Sequence, residues 1–149
     1  MRAYGISKDV FQASDFLESR AEIDKARLAF YGTGFGAYIG QRALALEPRL
    51  KAGVLIGGSL FGGPASGELD PLNFAPRIEV PVFINGRNDF QAPFEARRKP
   101  LFRFLGSRES DKRHAVSMAG TFRRCKAIMR ESLAWPDKYL GPVVPTHTR

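Results

Sequence analysis

The residues of this 149-residue chain whose types and spacing could do chemistry are Tyr31-Gly32-Thr33-Gly34-Phe35-Gly36-Ala37. Two chemistries use a tight glycine-rich turn between a strand and a helix. In one, Gly32-x-Gly34-x-x-Ala37 fits the fingerprint that lets a dinucleotide pyrophosphate approach a helix N-terminus. In the other, small residues flank the apex of a nucleophile elbow, G-x-S-x-G, because the apex sits on a sharp, strained turn. The dinucleotide reading also needs a carboxylate about 20 residues on, at the end of the next strand, to hold ribose hydroxyls. That region reads Ala52-Gly53-Val54-Leu55-Ile56-Gly57-Gly58 and carries none. The elbow is the favoured reading, with Gly34 at its apex.

The elements that would position such a turn follow from the apolar pattern. Short β-branched, apolar or aromatic segments at 27–31, 52–56, 81–84 and 114–118 read as buried strands. Helical spacing occurs at 8–20, 35–46, 94–105 and 123–135, with Ser7 in N-cap position before the first. This alternation predicts a three-layer α/β fold, a mainly parallel sheet of about four strands with flanking helices. Between residues 59 and 78, Gly62, Gly63, Pro64, Gly67, Pro71 and Pro76 break any long regular element and predict a long connection. The end of the chain, 144–149, lacks a core-forming pattern and is expected to fray, leaving one domain over 1–143.

Composition narrows the function classes. No apolar run approaches the roughly 18 residues that span a bilayer. No apolar segment follows Arg2, so no secretory signal is read and a cytoplasmic location is expected. Cys125 is the one cysteine and His114 and His147 the two histidines, so neither a disulfide nor a metal or other cofactor is expected. The net charge of +8 is concentrated between residues 97 and 130, where eleven Lys and Arg face only Glu109 and Asp111, a local balance of +9. Such a field can attract an acidic partner or nucleic acid, and an interaction module is the alternative function. The plainer reading of the run is a set of solvated helix faces, with nucleic acid the less favoured partner.

Longer strings carry a resemblance. Asp15-Phe-Leu-Glu-Ser-Arg-Ala-Glu-Ile-Asp24-Lys-Ala-Arg-Leu-Ala-Phe-Tyr-Gly32 resembles the helix and strand that lead into the elbow in dienelactone-hydrolase-like and acyl-peptidase-like α/β-hydrolases. Val80-Pro-Val-Phe-Ile-Asn-Gly86-Arg-Asn-Asp89-Phe-Gln-Ala-Pro93 is similar to their strand and acid loop, and Leu133-Ala-Trp-Pro-Asp-Lys-Tyr-Leu140 to their final helix. The resemblance implies a serine hydrolase of esters or peptides, its triad in the order Ser, Asp, His. The matching positions here are Gly34 for the nucleophile, Asp89 for the acid and Thr121, after Met118-Ala119-Gly120, for the histidine. The amide of Phe35 takes the place of one oxyanion-hole donor.

Two of these positions depart from the pattern. Glycine has no side chain to attack a carbonyl, and a threonine hydroxyl does not accept a proton near neutral pH. The expectation is a truncated, catalytically inactive hydrolase-like domain. No other residue is a ready substitute. Thr33 points away from the apex direction, His114 begins the last strand instead of following it, and His147 lies in the tail. Cys125 sits between Arg124 and Lys126, which favour its thiolate, but a half-buried helix position is the simpler role. Asp89 without partners reads as a turn former. In the family further strands precede the elbow, so an unpaired sheet edge is expected at 27–31, open to a partner chain or to self-association.

Overall fold

The computed structural model describes residues 2–60, 70–87, 94–117 and 122–142. A long helix, α1 (Arg2–Ser19), precedes β1 (Leu28–Thr33), α2 (Phe35–Leu46) and β2 (Leu50–Ile56). Two short 3-10 turns lead to β3 (Val82–Arg87). A π-helical turn (Phe94–Arg98), α3 (Lys99–Phe104), β4 (Lys112–Ser117) and α4 (Phe122–Leu140) follow. The strands form one parallel sheet in the order β1-β2-β3-β4. Parallel pairing requires a crossover between neighbours, and α2 and α3 supply two of them.

Both faces of the sheet are covered, as the near-continuous apolar run of β2 requires. On one face Leu55, Val82 and Ile84 pack with Ala37, Ala43 and Leu44 of α2 and Leu101 of α3. On the other, Val54 and Phe83 pack with Trp135 of α4. The result is the expected three-layer α/β arrangement. Gly53 is a point of closest approach, since a Cβ there would fall 2.4 Å from Leu44 Cδ1. α1 lies outside α2, with Val10 and Leu17 against the core. Among the described residues β1 pairs only with β2, so its outer edge is unpaired at the place expected.

Several boundaries differ from the sequence reading. α1 begins at Arg2, which puts Ser7 inside the helix and ends its role as an N-cap. α4 runs past Trp135 through Pro136 to Leu140. Pro136 lacks the N–H that would bond to Ser132, but one missing bond does not end a helix whose buried face continues through Trp135 and Tyr139. Gly141 ends it instead, at φ 79, with its N–H donating to Asp137 O at 2.9 Å. The single helix expected over 94–105 is a π turn followed by α3, with Pro100 in α3's first turn. The basic run is not wholly solvated either. Arg98 and Lys112 are buried, Lys112 pairing with Glu109 and lying over the Phe102 ring.

Candidate active-site turn

β1 ends in a turn whose shape is set at Gly34, with φ 52 and ψ −114. Side chains rarely adopt this backbone, and glycine takes it without penalty. The Gly34 N–H donates to Ile56 O at 2.8 Å, which ties the turn to the end of β2, and Tyr38 N–H donates to Gly34 O at 3.2 Å to close the first turn of α2. Gly32 is needed for a different reason. A Cβ on it would lie 2.6 Å from the Gly36 backbone, where α2 crosses the end of the strand. At Gly34 itself a Cβ would meet nothing within 4 Å. The apex is open space without a side chain.

Phe35 opens α2, and its ring is exposed and stacked on Tyr38 at 6.0 Å. The first helical N–H groups, from Phe35 to Ala37, have no intrahelical partner and carry the positive end of the helix dipole. An oxyanion or another negative group could be stabilised there. Asp89 and Thr121 lie outside the described residues, as do residues 61–69 of the long connection. The turn and the two other triad positions are therefore not brought together in what the structure describes. The dinucleotide reading finds no carboxylate at the end of β2, where Gly57 faces Gly34.

The other candidates fall elsewhere. His114 is the third residue of β4, half-buried, its ring edge-on to Phe102 at 6.0 Å. Burial, and then the nearby Arg98 guanidinium, hold its pKa below 6.5. Cys125 is in α4. His147 lies outside the described residues. Among the described residues, no group of three or more His, Cys, Asp and Glu side chains could hold a metal ion.

Three features were missed by the sequence reading. Arg98 packs its guanidinium against Gly86 at the end of β3, so close that a Cβ on Gly86 would overlap it. Gln41, fully buried on α2, donates to Ser59 O at 3.1 Å and fixes the exit of β2. Arg49 clasps α1 to β2, reaching Glu47 at 2.5 Å, Asp15 at 2.6 Å and Glu18 at 2.9 Å. Only Glu47 and Arg49 lie close enough in sequence to have suggested a pair.

The arrangement of four parallel strands, the glycine turn after β1 and α4 closing the far face has close counterparts among solved structures. A cold-adapted esterase from an Arctic intertidal metagenomic library superposes with a TM-score of 0.75 over 93% of this chain, at 20% identity. The chain has the α/β-hydrolase fold. A Klebsiella pneumoniae structure assigned to the dienelactone hydrolases gives a TM-score of 0.77 over 92% of the chain, at 20% identity. A puromycin-hydrolyzing peptidase of Mycobacterium tuberculosis gives 0.72 over 91%, at 19% identity. The chain covers 59%, 62% and 25% of these three structures, less than two thirds of each. No protein-family model and no curated protein sequence matches it. The turn at Gly34 joins a parallel strand to a helix, the place at which this fold carries a nucleophile elbow.

Proposed function

We propose that this chain is a hydrolase-like scaffold that does not itself carry out serine-type hydrolysis. The observation that carries the reading is the Gly34 apex, which has a positive-φ backbone and open space beside its Cα but no side chain to act as a nucleophile. The second support is the resemblance that maps Thr121 onto the position of the catalytic histidine. Nucleophile and general base act as a unit, and losing either alone removes about 10⁶-fold of the rate in a serine protease. Asp89, at the acid position, has no imidazole to orient. The helix end at Phe35 retains a capacity to hold negative charge, which by itself lends only about 10²- to 10³-fold to acyl transfer.

The test compares hydrolysis of p-nitrophenyl acetate and butyrate by the purified chain with that by a Gly34→Ser, Thr121→His double variant, each with and without Asp89→Asn. The expected result is a parent whose rate does not depend on Asp89 and a double variant whose gained turnover does. Asp89-dependent turnover by the parent would overturn the proposal.

A further inference from the structure

The outer edge of β1 carries none of the devices that usually keep a sheet edge from pairing. Leu28–Thr33 contains no charged residue and no proline, and among the described residues it pairs only with β2. Its alternate residues Ala29, Tyr31 and Thr33 are exposed, whereas Leu28 and Gly32, turned to the other face, are buried. α4 extends the exposed apolar surface. Met129, Leu133, Pro136 and Leu140 follow one another at helical spacing, and the Tyr31 hydroxyl donates to Met129 Sδ at 3.8 Å. Tyr31, Met129 and Leu133 are 44%, 52% and 57% exposed. Beside the start of β1, Ala29, Pro136 and Leu140 help to line a groove of about 620 Å³.

The surface is complementary to itself. In an antiparallel pair of two β1 strands centred on Phe30, Ala29 stands opposite Tyr31 of the second copy and Leu28 opposite its Gly32, so a large side chain meets a small residue on each face. α4 runs antiparallel to β1. Met129 lies by Tyr31, and Arg27 donates to Gly141 O and Pro142 O, which puts Phe30 level with the turn of α4 around Leu133. Charge changes sign across that turn. Exposed Lys126 and Arg130 precede Leu133, exposed Asp137 follows it, and among the described residues none of the three is in an ion pair. A two-fold axis through Phe30 sets the two α4 helices antiparallel, with Asp137 of each level with Lys126 and Arg130 of the other. Size and charge thus match about one axis, which a second copy supplies and an unrelated strand does not.

We propose that two copies of this chain pair antiparallel along β1 about that axis, joining their four-stranded sheets into one. Tyr31 of each copy lies over Ala29 of the other, at the groove, and the two α4 stripes face each other across the axis. The contact does not depend on the Gly34 apex, so it stands whether or not the chain hydrolyses esters.

Sedimentation equilibrium of the purified chain reads the assembly directly. The expected mass rises with concentration from 16.5 kDa to twice that value and stops there. Ala29→Lys places a cation on both edges and should weaken the dimer at least about a hundredfold. Asp137→Lys, and separately Lys126→Glu with Arg130→Glu, should each weaken it about tenfold. A mixture of these last two proteins should form a mixed dimer as tight as that of the parent, because each then meets the charge it lacks. All of these positions are exposed, and an unchanged circular dichroism spectrum shows that each variant is folded. A chain that stays monomeric up to about 1 mM would overturn the proposal and leave the edge to a different chain. A dimer indifferent to Ala29→Lys, assembly that grows beyond two copies, or folded charge variants that do not recover on mixing would also overturn it.

Discussion

Around the C-terminal ends of β1, β2 and β3 stand Thr33, Gly34, Gly57, Asn85 and Gly86, whereas the entry to β2 is gripped by Glu47 and Arg49 with Asp15 and Glu18 of α1. In open parallel sheets ligands and chemistry gather at the C-terminal ends. Among the described residues that end keeps the backbone shape of the turn, with the Arg98 guanidinium packed against Gly86 as a charged group beside it. At the entry to β2 the Arg49 contacts are spent on attaching α1. The difference teaches that the shape of the turn rests on glycines and on backbone hydrogen bonds to neighbouring strands, while the attachment of α1 rests on charged side chains.

The comparison breaks most visibly at the clasp. The Glu47 side chain is 2% exposed and that of Arg49 is 24% exposed. The Arg49 guanidinium donates to both Glu47 oxygens and holds its carboxyl below the usual carboxylate range. Arg49→Ala strands a buried carboxylate and should lower stability by about 3–5 kcal/mol in urea unfolding. It should also move acid unfolding to higher pH. A lowered carboxylate pKa stabilises the fold above the unfolded value of 4.5, and that contribution, lost as pH falls through the folded value, disappears with its cause. By contrast Asp15→Ala removes a largely exposed partner and should change stability by less than about 1 kcal/mol. Equal small effects would mean that the apolar face of α1 alone holds it in place.

At the elbow, three alanine substitutions sharpen the claim that its shape is kept for backbone reasons. Gly32→Ala drives a methyl into the Gly36 backbone and should cost about 3 kcal/mol. Gly34→Ala meets no atoms but must hold φ 52, at about 2 kcal/mol. Gly36→Ala has open space and an ordinary helical position, so it should stabilise by up to about 1 kcal/mol. Thermal unfolding of the three variants reads out the order. Destabilisation by Gly36→Ala greater than by Gly34→Ala would contradict the geometry assigned to the turn.

Much of this architecture is legible in the chain itself. The apolar runs around Leu55 and Ile84 mark strands because both faces of a parallel sheet are buried, and Gly32 and Gly34 mark the turn because only glycine relieves its two constraints. Helix ends were harder to read. α4 passes Pro136 because its apolar face continues, and a local breaker rule does not weigh tertiary packing. The clasp of Arg49 on Asp15 and Glu18 joins residues more than 30 positions apart, and no periodicity encodes it. The burial of Arg98 and Lys112 within a basic run is likewise a tertiary fact. Of the three triad positions, Gly34 alone falls in the described residues, so the roles given to Asp89 and Thr121 rest on resemblance.

The smallest expected effect lies between the two regions, at His114. Its ring faces Phe102 of α3, with the Lys112 ammonium over the same Phe102 ring and the Arg98 guanidinium, which covers Gly86, as the nearby cation. Burial first and Arg98 second favour the neutral imidazole, so the folded pKa lies below 6.5. Below that value the unfolded chain binds the proton more readily than the folded one. The contribution of His114 is therefore fully present above pH 6.5 and is lost as pH falls through its folded value. Melting temperature should decline over that window in the parent and decline less in His114→Gln. In Arg98→Gln the decline should begin at a similar pH but be shallower, because only the second cause is removed. Identical pH profiles for parent and His114→Gln would show that the acid sensitivity belongs to the carboxylates of the clasp instead.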